Sequence, residues 1–395
     1  MIKFVARMKA KKNHSQADTM TLKASQESLH SARKALEGCT TTMGFRIDHL
    51  RHHGRGSLAF SALQEGLEYY MHPEYGFIAY KPLHDGPQSV LVLSDPICKR
   101  ENTKLLIDEF MKVKSDPVFL HISHEVAEIV AGYDFCVNEV GVETVIDIQE
   151  FDLVGGKKQQ LRNARNGGKK DNLEIKEVDS IDNTTLSKLR KISSDWIKEK
   201  TISNNEMQFI VRPIVYVDEI DVRRFVALKD GEIVGFVIFD PMYENGEIVG
   251  YIAQHLRSIH KSTYSVVDCI VVHALELFKT EGKQVMSMGF SPLARVDDQG
   301  EFKYSKLLKA YFQYAYEKAN YLYNFKNLAQ HKKQYRPGMK GAHEEKVYCA
   351  MRTRFLLPRI YDVFSTLGFR PISQMISHYS QKINEFISKP PKSDN

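Results

Sequence analysis

FVALKDGEIVGFVIFD, residues 225–240, decides how this chain is read. Phe225–Leu228 and Ile233–Phe239 are β-branched and aromatic runs. Lys229-Asp230-Gly231-Glu232 between them is turn chemistry, so the stretch is a β-hairpin. Outward from it, residues 248–257 read as a third strand. Residues 265–281 read as a helix that buries Val267, Ile270, Val271, Ala274, Leu275 and Phe278, and 285–291 (VMSMGFS) as a further strand. Upstream, a helix over 184–200 carries Leu186, Leu189, Ile192 and Trp196 on one side. Downstream come a Tyr-rich helix, 303–320, and a closing strand, 347–352.

The first half repeats this plan. FIAYKP (77–82) and SVLVLSDP (89–96) are strands bounded by Gly and Pro. A helix over 101–114 puts Leu105, Leu106, Phe110 and Val113 on one face. VFLHIS (118–123) is a strand, 124–131 a helix, and strand-like runs continue to Phe151. GSLAFSALQEG (56–66) is ambiguous. Helical material, a hairpin, a strand, a long helix and another strand make up each half. The plan resembles a GCN5-related acyltransferase (GNAT) fold, twice over. The expected fold class is therefore α/β: tandem GNAT-like lobes, mixed sheets flanked by helices. The expected divisions are a basic extension (1–40), a first lobe (41–154) and a second lobe (155–395) that carries the active site and ends in an amphipathic segment (356–390).

Composition narrows the function. With 395 residues, 43% hydrophobic and 26% charged, the chain has material for a sizeable core and is not a disordered protein. No stretch approaches the roughly 18 apolar residues of a spanning helix, and no apolar run follows the basic start. A cytoplasmic protein is expected, peripheral on the inner face of the membrane if it meets lipid. Five scattered cysteines without a CxxC pair fit a reducing compartment. Residues 1–40 hold eight basic and three acidic side chains, a net +5 of the total +6. Basic character is local, and an anionic partner is to be sought at patches.

Two patches stand out. Residues 155–170 (GGKKQQLRNARNGGKK) hold Lys157, Lys158, Arg162, Arg165, Lys169 and Lys170 and no acid. Residues 324–340 interleave Lys326, Lys332, Lys333, Arg336 and Lys340 with Phe325 and Tyr335, a mixture suited to phosphates and bases. The plain alternative for each is a solvated loop or linker. AQHLRSIHKSTYSVVDC (253–269) sets His255, Arg257, His260 and Asp268 at a strand end and helix start, where a GNAT lobe holds its acyl donor. A coenzyme A enzyme places a glycine-rich loop there to cradle pyrophosphate. Here the loop has no glycine, which points to another acyl carrier. Asp268 read plainly is a carboxylate at a helix N-terminus. His121 and His124 are three apart and do not share a strand face, so no metal site is expected, and no cofactor.

LRNARN, the Trp196 helix, HLRSI, VVDC, MGFSPLA (288–294), LYNFKNLAQHKKQYRP (322–337) and YCAMRTRFLLPRIYDV (348–363) follow one another as in the C-terminal domain of phosphatidylglycerol lysyltransferases. LVLSDPICKRENTKLLIDEF (91–110) is similar to that family's first-lobe signature. The resemblance spans about 45–365. It implies a tandem GNAT fold and an enzyme that moves an aminoacyl group from aminoacyl-tRNA to a headgroup hydroxyl of an anionic phospholipid, phosphatidylglycerol-like, at the membrane surface. Arg257 matches the family. Gln254 stands where the family's Asp-Leu-Met-Arg has its carboxylate, and Gln334-Tyr335 where Lys-Phe is usual. No counterpart of the family's large membrane flippase domain is expected in this chain.

The resemblance suggests roles. Arg257, with Lys332 or Lys333, would face the oxyanion or the terminal phosphates. His255 or Asp268 would be the base and Ser291 a donor to substrate. Lys157, Lys158, Arg162, Arg165, Lys332, Lys333 and Arg336 would contact tRNA. On a strand, His255 and Arg257 share one face and Gln254 and Leu256 the other. The basic start and 356–369, anchored on Leu357, Ile360, Phe364 and Leu367, would dock on lipid. Two other readings stay open: a GNAT-type acyltransferase with another donor or a soluble acceptor, and a non-catalytic binder of RNA or anionic membrane.

Overall fold

The computed structural model describes residues 42–84, 86–200, 207–259, 262–297, 300–318, 323–352 and 356–369. The basic extension 1–40, His260 and residues 370–395 of the terminal segment lie outside these, as does the side chain of Leu357.

The 225–240 hairpin forms as β8 (Arg223–Lys229) and β9 (Glu232–Glu244), with Asp230 and Gly231 at positive φ in the turn. β10 (Glu247–Ser258) follows, then α6 (Val266–Thr280) and β11 (Val285–Pro292). α6 crosses between β10 and β11, which are parallel. The first half has the same unit: β2 (Gly76–Pro82), β3 (Ser89–Leu93), α2 (Thr103–Val113) and β5 (Asp116–Ile122), with β3 and β5 parallel. β1 (Glu68–His72) and the two-residue β4 (Ile97–Cys98) pair with β2, and β7 (Glu174–Glu177) with β8.

The two units do not form separate sheets. One twelve-stranded sheet runs β1-β2-β3-β5-β12-β6-β11-β10-β9-β8-β7, with β4 off the path. β6 (Cys136–Asp147) and β12 (Ala342–Met351) lie at its centre. β6 belongs to the first half of the chain but pairs with β11 of the second, and β12 is the last strand yet pairs with β5. Each half thus sends its final strand across to the other. Strands from both sides of residue 154 interleave, and outward from the β6–β12 pair the two halves repeat each other.

Period-two alternation loads both faces of the sheet. Val90 and Val92 pack under α2 and under α3 (His124–Ala131). Leu91 and Leu93 join the opposite cluster, beneath α7 (Lys306–Lys318) and α9 (Leu356–Thr366). At the other end Val237 and Phe239 face α6, while Phe236 and Ile238 face α5 (Asn183–Lys200). On α2 the buried stripe is Thr103, Leu106, Ile107 and Phe110, one step round from the expected one, so Leu105 and Val113 are exposed. Phe110 is fully buried, worth roughly 2–3 kcal/mol in apolar transfer alone.

The basic run, for which a solvated linker was the plain alternative, is a helix, α4 (Gln159–Lys170). Its glycines serve contact rather than bending. A Cβ on Gly167 would lie 2.6 Å from the Tyr264 ring and one on Gly168 3.1 Å from Cys269 Sγ. The Cys269 thiol donates to the Ala164 carbonyl at 2.9 Å. The pair lets α4 settle against α6. The remaining helices are α1 (Thr42–His53) and α8 (Phe325–Lys332), the latter ending in a tight turn, Lys333–Tyr335.

Candidate active site

Most of the expected site residues are buried, and one segment, 325–336, touches both Asp268 and the bulge beside Glu143. β6 reads as an almost continuous buried run, yet carries Glu139 and Glu143. A carboxylate buried in such a strand requires partners. Glu143 accepts from the Ser287 hydroxyl of β11, and Ser287 Oγ in turn accepts from the Gly289 amide at 2.8 Å. Between Ser287 and Phe290 the β6–β11 register slips, with Gly289 at φ +79°. Lys332, at the end of α8, reaches this bulge and donates to the Phe290 carbonyl at 2.6 Å. The Lys332 side chain is 6% exposed. Burial pushes its ammonium down to about 7, against a partial offset from Glu143.

His121 closes the group. It is the penultimate residue of β5 and stands at φ +61°, a strained conformation for a non-glycine residue. Its ring packs edge-on to Phe290, with centroids 4.9 Å apart, and Nε2 lies 3.7 Å from Glu143. Burial lowers its pKa. Lys332, Glu143, Ser287 and His121 thus meet where the two halves exchange strands. Ser291, 2% exposed, sits one residue beyond Phe290, in register with Val142.

A second group lies on β10. His255 and Arg257 are both buried, and Gln254 and Leu256 less so, as the alternation required. The Arg257 guanidinium stacks 3.8 Å over the Trp196 ring of α5 and donates to the Leu256 carbonyl. Burial pushes it down to about 10, with Tyr323 acting the other way. His255 is 1% exposed and neither ring nitrogen has a hydrogen-bond partner among the described residues. Burial, then the neighbouring Arg212 charge, pushes its pKa down to about 3. Such an imidazole is neutral and a feeble base. Arg212 itself grips Asp240 through two contacts of 2.6 Å and Glu219 at 2.9 and 3.0 Å. Gln254 donates to the Ser61 hydroxyl at 3.4 Å.

Asp268 has the setting of an anchor. It lies in the first turn of α6, where the Ser265 hydroxyl caps the Asp268 amide. Its carboxylate is 1% exposed and accepts from the Tyr335 hydroxyl at 2.7 Å, with His331 Nε2 at 2.9 Å. Burial would raise its pKa, but the bonds from His331, Ser265 and Tyr335 prevail and hold it low. A pyrophosphate at this helix start would meet a buried carboxylate, and the described residues of the loop that leads into it, 258–259 and 262–265, include no glycine. These residues do not fit coenzyme A.

The two basic runs meet. Arg336, at φ +58°, donates through Nε to the Lys157 carbonyl at 2.5 Å. Lys157 and Lys333 are exposed there, as are Lys169 and Lys170 on α4. Two cations expected on this surface are not on it. Lys158 is 2% exposed, bonded to the Asp152 carbonyl and set 3.9 Å over the Phe151 ring. Lys332 points to the Glu143 group. Arg162 is half-buried on the Leu153 and Gly155 carbonyls, and Arg165 pairs with Glu276. The lipid anchors expected on 356–369 are also internal: Ile360, Phe364 and Leu367 line a cavity of about 60 Å³ beside Phe290. An amphipathic helix on a globular protein turns its apolar stripe to the core.

Sequence reading missed Glu143, His121 and Ser287. The signals were a carboxylate in an apolar strand and the glycine in VMSMGFS, which marks a bulge. His121 and His124 do separate, since His124 opens α3 against Glu301. Among the described residues no cluster of His, Cys, Asp and Glu could hold a metal ion, and no helix is long and apolar enough to cross a membrane.

Comparison with known proteins points one way. The family model described as phosphatidylglycerol lysyltransferase, C-terminal, matches residues 47–351. A phosphatidylglycerol lysyltransferase of Bacillus subtilis is 26% identical over 266 residues, 64% of this chain and 29% of that protein. One from Staphylococcus xylosus is 26% identical over 259 residues, 62% of this chain and 29% of that protein. The chain therefore spans under a third of these relatives' length. The solved structure of L-PGS from Bacillus licheniformis superposes with a TM-score of 0.67 at 20% identity, covering 82% of this chain and 96% of that one.

Proposed function

The chain belongs to the phosphatidylglycerol lysyltransferase C-terminal family, and from that premise we propose that it transfers an aminoacyl group from aminoacyl-tRNA to a phosphatidylglycerol-like headgroup at a membrane surface. The observation that carries the choice of donor is Asp268: a buried carboxylate sits at the helix start where a GNAT enzyme would bind pyrophosphate. An ester delivered on RNA needs no anion there. Its phosphates have the joined surface of Lys157, Lys333, Lys169, Lys170 and Arg336. Arg162 and Arg165 hold α4 in place below it.

Aminoacyl-tRNA is already activated, so the protein's task is alignment and proton handling. The acceptor hydroxyl oxygen bonds to the aminoacyl carbonyl carbon, and the bond to the terminal ribose oxygen breaks. Lys332, with its pKa near 7, takes the acceptor proton as a free amine and returns it to the leaving ribose oxygen. Glu143, held by Ser287 and flanked by His121, stabilises the ammonium formed in between. Arg257, set flat on Trp196, faces the developing oxyanion. Ser291 donates to the substrate beside the bulge. Asp268 positions: through His331 and Tyr335 it fixes the turn that carries Lys332. His255 stays neutral and fills space beside Arg212.

The test compares donors. Purified protein is given labelled aminoacyl-tRNA, or labelled acetyl-coenzyme A, with dispersed phosphatidylglycerol. Label in lipid from the RNA donor alone is expected. Label from coenzyme A alone would overturn the reading.

A further inference from the structure

The docking surface expected on the 356–369 stripe is turned inward, and the outer side of the same helices offers another. α7 buries Leu308, Phe312 and Ala315 and exposes Leu307 (57%), Ala310 and Tyr314 (65%), which stand at i, i+3 and i+7 on one face. α9 packs beside it through Tyr311 and Phe364, with ring centroids 5.6 Å apart, and exposes Tyr361 (46%). Leu307, Tyr314 and Tyr361 are among the large apolar side chains left in solvent. Three on two touching helices make a patch rather than scattered exposure.

The fringe of this patch is net positive: four lysines surround it against two acids, Glu317 and the Asp297 carboxylate that accepts from Gln313 at 2.6 Å. Lys306 and Lys318 are exposed at the ends of α7, Lys309 is half-exposed between them, and Lys326 of α8 bonds to the Glu317 carbonyl. Glu317 is the only acid on α7. Tyrosine with an apolar neighbour and a fringe of lysines is the composition that settles at the headgroup level of an anionic bilayer. Behind the patch, the inner faces of α7 and α9 line the apolar cavity that reaches Phe290, whose carbonyl receives Lys332. A membrane on this side would lie across that cavity from the proton-handling group.

We propose that the outer face of α7 and α9 is the surface by which the protein lies on an anionic membrane, with Leu307, Tyr314 and Tyr361 in the interface and Lys306, Lys309, Lys318 and Lys326 over the headgroups. This rests on the lipid-acceptor reading but is tested apart from it. Vesicles of phosphatidylcholine with phosphatidylglycerol, and of phosphatidylcholine alone, are sedimented with wild type and with a Leu307→Glu, Tyr314→Glu variant. Wild type is expected to bind the anionic vesicles preferentially, and the variant about tenfold more weakly or less. Both positions are exposed, so an unchanged melting curve accompanies the loss. Transfer to a short-chain, water-soluble phosphatidylglycerol is expected to be equal in the two proteins. Undiminished vesicle binding by the variant overturns the proposal. So does a wild-type dimer that the variant dissociates without loss of vesicle binding, which would assign the face to a second copy. Absence of transfer to the soluble lipid in both proteins would count against the lipid acceptor and leave the vesicle result standing.

Discussion

Replacing Lys332 by methionine should flatten the alkaline rise in stability. Lys332 is 6% exposed, and its pKa falls from 10.5 to about 7 on folding, chiefly by burial. Between those values the unfolded chain holds the proton and the folded one does not, so stability rises with pH across that window. Below about pH 7 both states carry the charge and the folded state bears the whole penalty. The shift, 10.5 − 7 = 3.5, corresponds to about 5 kcal/mol. From about pH 7 to about pH 9 the recovered part integrates to about 2 kcal/mol. Urea unfolding at those two pH values, for wild type and Lys332→Met, gives the comparison. Taking the difference between proteins cancels the other titrating groups. Wild type should gain about 2 kcal/mol more than the variant. Equal gains would mean that the ammonium is solvated, and would remove Lys332 as a base of neutral pKa.

Tyr335→Phe strips one of the hydrogen bonds on a carboxylate that is 1% exposed, and should cost about 1–3 kcal/mol in urea melts at neutral pH. Because Asp268 is held below 3.8, its stabilisation is full above that pH and lost as pH falls through the folded value, so the gap between the two proteins should narrow in acid. Arg257→Ala should slow aminoacyl transfer roughly a hundredfold or more in protein whose circular dichroism matches wild type, the truncated side chain being buried against Trp196. Equal transfer rates would take Arg257 out of the chemistry. Transfer rate against pH should rise to a plateau with a midpoint near 7, as the Lys332 amine loses its proton. A profile flat from acid to neutral pH would exclude that base. Phe312→Ala would enlarge the cavity under α7, at about 3–5 kcal/mol in chemical denaturation.

The elements were legible wherever local pattern and burial agree. The 225–240 hairpin, the 124–131 helix and the parallel strands around the 103–113 and 266–280 helices all show in period-two or period-3.6 patterning. α4 did not, since a run this basic serves equally as a solvated linker, and the part Gly167 and Gly168 play, close contact with Tyr264 and Cys269, depends on the fold. The exchange of β6 and β12 was invisible, because nothing local says which distant edge a strand will join. The site followed the same rule. Arg257 and Asp268 could be named from the sequence, but not that Asp268 would be consumed by His331 and Tyr335. Lys332 reads, interchangeably with Lys333, as a cation for the oxyanion or for tRNA phosphates. Only the fold brings it to Glu143 from β6, the partner that makes it chemically distinct.

The central claim is that this fold receives an amino acid carried on RNA and gives it to a lipid. Mass spectrometry of total lipids from cells expressing the wild-type chain, set beside cells expressing Arg257→Ala, tests it most directly. A phosphatidylglycerol-like species heavier by one aminoacyl group should appear with the wild type and be absent with the variant. Identical lipid profiles at equal expression would contradict the account.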